Sequence, residues 1–263
     1  MAKPDRLRAV LELLSEHGRV EIDDLVTTLG ISPATARRDL DTLAEQRMLT
    51  RTRGGAEALT VAYDLPLRYR DMRDPTAVKQ RIAAAASALV RVGDVVGLSG
   101  GTTTTAIANA LATRPDIMAQ SHEPNLTVVT NAVNIAAELA TRPQVKLMVS
   151  GGIVHPRSYE LVGSFAEDTI GQVSLSIAFI GANALSLDHG ATTHNEREAV
   201  VNALMATRAD RAVLVVDSSK IGSKAFAAMG GPDKFDTIIT DNGITDADHA
   251  ALSSRGYEVI IAP

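Results

Sequence analysis

The feature that most constrains the fold is an alternation of short apolar runs with alanine-rich helical patterns, which begins near residue 76. The apolar runs are continuous, a pattern typical of strands that are buried on both faces. Such strands separated by helices predict an α/β domain with a mostly parallel sheet covered by helices on both sides. The predicted strands are 95–98, 126–130, 145–150, 177–181, 212–217, 237–240 and 258–261. The predicted helices are 77–90, 104–112, 132–140, 195–207 and 246–254.

The first 57 residues follow a different, α-rich pattern of short helices and tight turns. The first helix has apolar residues at the spacing of one buried face: Leu7, Val10, Leu11 and Leu14. A second helix ends at Gly30, and Ser32 before Pro33 predicts the N-cap of a third helix, which runs to about residue 46. Two helices joined by a short turn and followed by a hairpin over 48–55 predict a winged helix-turn-helix.

Composition fits two unequal domains in a chain of 263 residues, with 45% hydrophobic and 22% charged residues. We predict a DNA-binding domain over 1–57, a linker over 58–75 and an effector-sensing domain over 76–263. The net charge of −5 argues against a protein that coats nucleic acid without selectivity. The start of the chain lacks a signal peptide pattern, and no run of about 18 apolar residues is present, so we expect a cytoplasmic protein without membrane contact.

The third helix and the hairpin concentrate the residues that suit DNA recognition. Arginine binds guanine edges or phosphates, and threonine suits a phosphate or a thymine methyl group. Asp39 would repel DNA if it pointed outward, so we expect it to pair with an arginine or brace the wing. The alternative is a small helical dimerisation domain whose arginines form a solvated face. The predicted DNA-binding residues are Ser32, Pro33, Thr35, Arg37, Arg38, Arg51, Arg53 and Gly54.

A glycine- and threonine-rich loop follows the strand at 95–98 and precedes a helix. Its glycines allow close backbone approach to a ligand, and the helix N-terminus offers free N–H groups to a phosphate or carboxylate. The loop is not a P-loop, because the lysine of that motif is absent. It could also simply connect a strand to a helix. The predicted effector-binding residues of this loop are Ser99, Gly100, Gly101, Thr102, Thr103 and Thr104.

Other predicted strands also end in glycine or polar residues, and ligands of open parallel sheets bind at the carboxyl ends of the strands. Lys220 would neutralise a phosphate, or it could be a surface lysine paired with Asp217. Glu198 could bind sugar hydroxyls or act as a base, although an exposed helix carboxylate is usually only solvated. The further effector-binding candidates are Thr130, Asn131, Gly151, Gly152, Glu198 and Lys220.

Metal and catalytic sites find little support. His189, His194 and Asp188 lie in a loop and lack the spacing of two histidines on one helix face, so we expect no metal. The chain has no cysteine, and no Ser-His-Asp arrangement can be assigned. We therefore expect no cofactor and no enzymatic turnover.

The motif S-x-x-T-x-R-R-D-L over 32–40, followed by R-T-R-G-G-A over 51–56, resembles the DeoR family of bacterial sugar-metabolism regulators. Similar motifs extend along almost the whole chain. They are D-L-P-L-x-x-R over 64–70, K-x-x-I-A over 79–83, G-T-T over 101–103, T-N over 130–131, G-G over 151–152 and D-S-S-K over 217–220. One position departs from the family, which often has Asp where this chain has Ser99.

The resemblance implies a sensor domain akin to ribose-5-phosphate isomerase and the CoA transferases, without turnover. It also implies an effector that is a phosphorylated sugar or related metabolite, and repression relieved by that effector. Ser99 removes a carboxylate that would bind sugar hydroxyls. We expect a dimer or tetramer that presents two winged helices to an operator.

Two alternatives remain open. One is a sugar-phosphate isomerase with a DNA-binding appendage, for which Glu198, Asp217 or Asp241 would be the base. The other is an activator or nucleoid protein without an effector, which the acidic net charge disfavours.

Overall fold

The computed structural model describes residues 3–17, 19–45, 49–57 and 77–263. The predicted linker over 58–75 and its D-L-P-L-x-x-R motif lie outside these residues. The chain divides into two compact units, Met1–Asp71 and Met72–Pro263. Among the described residues, no helix has the length and apolar character needed to cross a membrane.

The N-terminal unit is a winged helix-turn-helix, as predicted. The small sheet has the order β1-β3-β2 and is antiparallel throughout, so β3 lies between the strand after the first helix and the first strand of the wing. Its elements are α1 (Lys3–His17), β1 (Arg19–Glu21), α2 (Ile22–Leu29), α3 (Pro33–Glu45), β2 (Thr50–Arg51) and β3 (Gly55–Glu57). The predicted periodicity of the first helix is confirmed at Val10 and Leu14, which are fully buried.

The C-terminal unit is built on a seven-stranded parallel sheet with the order β15-β14-β12-β9-β4-β5-β6. All seven predicted strands are present, and the predicted α/β fold class is confirmed. The sheet strands are β4 (Val95–Leu98), β5 (Leu126–Thr130), β6 (Val145–Val149), β9 (Ile177–Gly181), β12 (Ala212–Val215), β14 (Thr237–Asp241) and β15 (Glu258–Ala262).

Helices cover both faces of this sheet. Apolar side chains of three helices pack on one face together with buried side chains of β4 and β5, and three other helices pack on the opposite face. The first set is α4 (Ala77–Ala88), α5 (Thr102–Leu111) and α6 (Val133–Leu139), and the second is α7 (Ser164–Gly171), α8 (Glu196–Thr207) and α9 (Asp246–Ser254). Two buried faces explain why the strands are apolar along their whole length.

Short antiparallel pieces were not predicted. Strands β7 and β8, of two residues each, pair as an antiparallel hairpin whose loop is 155–160, and a second sheet has the order β10-β11-β13. These strands are β7 (Ile153–Val154), β8 (Leu161–Val162), β10 (Ala184–Ser186), β11 (Gly190–Thr193) and β13 (Ala227–Gly230). The β7–β8 hairpin lies between β6 and α7, where it carries residues 155–160 back toward the carboxyl ends of the strands.

Candidate functional site

The turn between α2 and α3 has the geometry predicted for a helix-turn-helix. Gly30 is in the left-handed conformation (φ 63°, ψ 37°), and its N–H donates to the carbonyl of Val26 at 3.1 Å. The Ser32 hydroxyl accepts the N–H of Thr35 at 3.2 Å, so Ser32 is the N-cap of α3. The inner face of α3 is formed by buried Ala36, Leu40 and Leu43. These contacts fix the direction of α3 within its unit.

The outer face of α3 carries cations that are not used inside the protein. The side chains of Arg37 and Arg38 are exposed, and within the described residues neither forms an ion pair or a side-chain hydrogen bond. The same holds for Arg53 at the tip of the wing. The Thr35 hydroxyl lies 2.9 Å from Ser32 Oγ, so part of its hydrogen-bonding capacity serves the cap. Unpaired arginines on an exposed helix face suit phosphate and base contacts.

Asp39 and Arg51 form ion pairs that attach α3 to α1 and to the wing. Asp39 is buried and pairs with Arg6 of α1, with Arg6 Nη2 donating to Oδ1 at 3.0 Å. This confirms the expected pairing with an arginine. Arg51 of β2 pairs with Asp41 of α3 at 2.9 Å and donates to the carbonyl of Gly55. Arg51 therefore fastens the wing to α3, and a DNA contact by Arg51 stays a prediction.

The glycines of the wing answer a steric need. Gly54 has φ +125°, and a Cβ at Gly55 would lie 1.9 Å from the carbonyl oxygen of Val20. No side chain fits at Gly55, because β3 is paired with β1 at this position. Backbone conformation at Gly54 and strand packing at Gly55 thus explain the G-G pair, and the predicted role of Gly54 at the DNA stays a prediction.

In the C-terminal unit, the loop after β4 makes a turn directly into α5. Gly101 is the N-cap of α5 with φ +117°, a conformation that favours glycine. The first N–H groups of α5 have no acceptor within the helix and, with the helix dipole, favour an anion. The hydroxyls of Thr104 and Thr105 instead donate to the carbonyl of Gly101 at 2.9 and 2.8 Å. An effector contact by Thr104 stays a prediction, and Thr102 and Thr103 form the first turn of the helix.

Ser99 is fully buried and links two neighbouring strands. Its hydroxyl accepts the N–H of Gly181, at the end of β9, at 3.0 Å. Thr130 plays a similar part, because its hydroxyl donates to the carbonyl of Leu98 at 2.7 Å and accepts the N–H of Ala132 at 3.0 Å. Both side chains therefore fix the loops that follow the carboxyl ends of these strands.

Glu160 is a buried carboxyl that sequence reasoning missed. Residue 160 pairs with Ala132 in an isolated antiparallel bridge, which carries its side chain to the end of β5. There, Nδ2 of Asn131 and Nδ2 of Asn202 donate to Oε2 of Glu160 at 3.1 and 3.2 Å. Gly100 lies beneath it, and a Cβ at Gly100 would lie 2.6 Å from Oε1. A carboxyl group therefore stands at the glycine loop even though Ser99 replaces the Asp that is frequent in the family.

Glu198 of α8 is 7% exposed, so the interpretation of a solvated helix carboxylate is wrong. Its Oε1 accepts the hydroxyl of Ser158 at 2.6 Å and lies 2.9 Å from Nδ1 of His155. The hydroxyl oxygen of Thr193 lies 3.3 Å from Oε2, while its proton has a shorter acceptor in Oδ1 of Asn183 at 2.6 Å. Burial and the nearby charge of Glu198 raise the pKa of Glu160 to about 8, against smaller opposite effects of its two amide partners. Glu160 is therefore mostly protonated at neutral pH.

Lys220 lies on the other side of β4 from Asn131. Its Nζ donates to the carbonyl of Ala182 at 2.9 Å and lies 3.9 Å from Oδ2 of Asp217, so the alternative of a surface lysine paired with Asp217 holds only in part. Burial lowers the pKa of Lys220, Asp217 raises it, and the positive charge of Lys79 on α4 lowers it. Lys79 is a second cation near this edge to which sequence reasoning gave no role.

The remaining candidates, Gly151 and Gly152, are explained by packing. A Cβ at Gly151 would lie 3.1 Å from Cβ of Phe165, and one at Gly152 would lie 2.7 Å from the carbonyl oxygen of Val162. They allow α7 and β8 to approach the end of β6. Their predicted effector contacts stay predictions.

Asn202 carried a sequence signal, because it follows Glu198 by four residues and therefore shares its helix face. Glu160 carried none, because it lies in a loop between strands of only two residues.

Family models match both units. Residues 6–61 match the DeoR-like helix-turn-helix domain, and residues 75–242 match the DeoR C-terminal sensor domain. The chain belongs to the DeoR family. The family resemblance is confirmed, and this DeoR-family protein is a DNA-binding regulator of transcription.

Among its relatives is the HTH-type transcriptional repressor GlcR of Bacillus subtilis, which is 30% identical over 261 residues, or 99% of this chain and 97% of the relative. The glycerol-3-phosphate regulon repressor of Escherichia coli is 29% identical over 241 residues, or 92% of each chain. Among solved structures, ribose 5-phosphate isomerase A of Methanocaldococcus jannaschii matches 54% of this chain and 53% of its own, with 19% identity and a TM-score of 0.39.

Proposed function

We propose that this DeoR-family regulator represses genes of carbohydrate metabolism and leaves its operator when a phosphorylated sugar or polyol binds the C-terminal unit. The proposal rests on two kinds of group that lie at the carboxyl ends of the parallel strands, one that attracts an anion and one that binds hydroxyl groups. Lys220 and the N-terminus of α5 favour an anion, while Glu160, Glu198 and Asn131 offer hydrogen bonds to hydroxyl groups. The name of the glycerol-3-phosphate regulon repressor gives independent support.

At the DNA, α3 would enter the major groove with Arg37 and Arg38 toward phosphates and base edges. Arg53 would contact the backbone from the wing. The protein would act as a dimer or tetramer in which two winged helices bind repeated or inverted half-sites. Effector binding can release DNA only if the effector has a higher affinity for the arrangement that binds DNA poorly.

We further propose that the sensor does not turn its effector over. The buried carboxyl of Glu160 favours the alternative of an isomerase, because a base with its raised pKa would suit proton abstraction near neutral pH. Glu160 is only 4% exposed, and both of its amide partners occupy the same carboxyl oxygen. Conversion of aldose phosphates to ketose phosphates by the purified protein would contradict this part of the proposal.

The test combines operator release with stability. Duplexes that the protein binds are first selected from a random pool, and sugars and their phosphate esters are then screened for release in a gel-shift assay and for thermal stabilisation. A ligand at a hundredfold excess over its Kd stabilises the folded state by about 2.7 kcal/mol. We expect one phosphate ester to act in both assays and its free sugar in neither.

Two variants sharpen this test. Lys220→Gln should weaken binding of the active ester at least tenfold and leave operator binding intact. Lys146→Gln, which changes an exposed lysine of β6, is the matched control and should bind as the unchanged protein does. A Lys220→Gln protein with unchanged affinity would remove the lysine from the site.

A further inference from the structure

Two buried amides beside Glu160 each have a carbonyl oxygen without a donor. Asn131 and Asn202 both direct Nδ2 to Glu160, at 3.1 and 3.2 Å, so their Oδ1 atoms face other directions. Each Oδ1 is buried and has no hydrogen-bond partner in the part of the chain that the structure describes. The two side chains are 0% and 3% exposed. Only a hydrogen-bond donor satisfies such an atom, and a carboxylate or phosphate oxygen has no proton to donate.

The charge around these amides points the same way. The carboxyls of Glu160 and Glu198 are close enough to affect each other's charge, and both are buried. Hydroxyls of Ser158 and Thr193 and the ring of His155 surround Glu198. Because Glu160 is mostly protonated at neutral pH, an anionic group entering here would meet the charge of Glu198 in a region of low dielectric.

The groups that attract an anion lie at the carboxyl ends of other strands of the same sheet. Lys220 Nζ is held at the carbonyl of Ala182, directly after β9, and the N-terminus of α5 follows β4. The order β12-β9-β4-β5 places Lys220 and Asn131 on opposite sides of β4. Neighbouring strands are about 4.8 Å apart, so β9 and β5 are separated by roughly 10 Å. A short carbon chain with a phosphate at one end is long enough to contact both sides.

We infer that the effector has a single anionic group, its phosphate, and a neutral hydroxyl-bearing opposite end, so that aldose and alditol phosphates bind while phosphorylated aldonic acids and bisphosphates of the same chain length are rejected. The inference rests on the proposed function, because it assumes that the effector binds at the carboxyl ends of the parallel strands. It adds that the acceptors around Glu160 exclude a second charge.

Matched series of ligands test this inference by isothermal titration calorimetry at pH 7. One series is glucose 6-phosphate, sorbitol 6-phosphate, 6-phosphogluconate and glucose 1,6-bisphosphate, and the three-carbon series compares glycerol 3-phosphate with 3-phosphoglycerate. The five-carbon series compares ribose 5-phosphate and ribitol 5-phosphate with 5-phosphoribonate. We expect at least one neutral-ended ester to bind, with a Kd at least tenfold lower than that of its acid or bisphosphate counterpart.

Glu198→Gln removes one charge from the end of the site that excludes a second anionic group. It should reduce the ratio of the two Kd values, acid or bisphosphate over neutral-ended ester, to threefold or less. Glu196→Gln changes an exposed carboxylate on the same helix and should keep the ratio unchanged. If Glu198→Gln does not fold, the ratio in the unchanged protein decides. Equal or tighter binding of an acid or bisphosphate would overturn the inference and leave the proposed function standing. Binding of no ester in any series would overturn both.

Discussion

Glu160 lies directly over Gly100, so close that a Cβ on Gly100 would stand 2.3 Å from Cγ of the glutamate. A Gly100→Ala change must therefore displace the Glu160 side chain, which is held from two sides by amides. We expect a loss of about 1–3 kcal/mol in the free energy of unfolding, typical of overpacking, and at least tenfold weaker effector binding. Urea denaturation and calorimetry measure the two effects.

Gly171→Ala is the matched control for this change, because a Cβ at Gly171 meets no atom within 4 Å. It should leave effector binding unchanged. A Gly100→Ala protein that bound the effector as tightly as the control would show that Glu160 can move without consequence for the site.

The pKa of Glu160 makes stability depend on pH. Its ordinary pKa is 4.5, whereas burial and Glu198 raise it to about 8 in the folded protein. Between these values the folded protein keeps a proton that the unfolded chain has lost, so this group lowers the free energy of unfolding as pH rises from 4.5 to 8. The slope from one proton is at most about 1.4 kcal/mol per pH unit, and the effect levels off above pH 8.

Glu160→Gln should remove this contribution, since glutamine keeps the shape of the side chain and does not titrate. Urea denaturation from pH 5 to pH 9 should therefore show a flatter profile for Glu160→Gln than for the unchanged protein. Glu196→Gln should retain the original slope. Parallel profiles for all three proteins would mean that Glu160 titrates normally.

The elements that the sequence predicted best are those in which local pattern and burial agree. The seven apolar runs became the seven strands of one sheet, and Ser32, Pro33 and the Ala36, Leu40, Leu43 face placed α3 within a residue. Helix α7 was missed because it is short and has only one buried pair at helical spacing, Ala166 and Ile170, and the β7–β8 hairpin has only two residues in each strand. Such elements are stabilised by what they pack against, which no local pattern records.

The candidate site was only partly predictable for the same reason. The glycine loop, Asn131 and Lys220 follow strands, so the rule of carboxyl ends located them. Glu160 reaches the loop through a single bridge to Ala132, a contact between positions 28 residues apart. Ser99 carried the right residue type for a ligand contact, yet its hydroxyl is used internally by Gly181.

Ser99→Ala tests that internal role. The change would leave the N–H of Gly181, a half-buried residue, without its acceptor, which we expect to lower the free energy of unfolding by about 1 kcal/mol. Ser121→Ala, at an exposed serine, should change it by less than about 0.5 kcal/mol. Equal stability of the two variants in urea would show that another group satisfies Gly181.

Arg38→Ala tests the proposed DNA-binding face. The side chain is exposed and unpaired within the described residues, so its loss should not affect folding. If it contacts a phosphate, operator affinity should fall and the slope of log K against log salt should drop by about one. If it contacts a base, sequence preference should relax at one position.

Gel-shift titrations at several salt concentrations distinguish these two results. Arg91→Ala, at an exposed arginine of the C-terminal unit, is the control and should bind the operator normally. Unchanged affinity of Arg38→Ala would remove this arginine from the interface.

The buried pair of Arg6 and Asp39 predicts that a residue away from the DNA-binding face controls DNA affinity. The Asp39 side chain is 2% exposed and that of Arg6 is 16% exposed, so Arg6→Ala would leave a buried carboxylate without its cation. Removing one partner of an ion pair is destabilising when the other charge stays buried, so Arg6→Ala should lower the stability of the N-terminal unit. Because Asp39 lies on α3, the loss of stability should affect α3, the helix that carries Arg37 and Arg38.

Hydrogen exchange of the α1 and α3 amides is the appropriate measurement, since the two compact units need not unfold together. Arg6→Ala should speed exchange in α3 and weaken operator binding, while exchange in β4 and β9 and effector binding stay unchanged. The double change Arg6→Ala with Asp39→Asn removes the stranded charge and should restore part of the protection. Protection that stays the same in Arg6→Ala would mean that the carboxylate of Asp39 finds another partner and that the pair does not set the stability of the recognition helix.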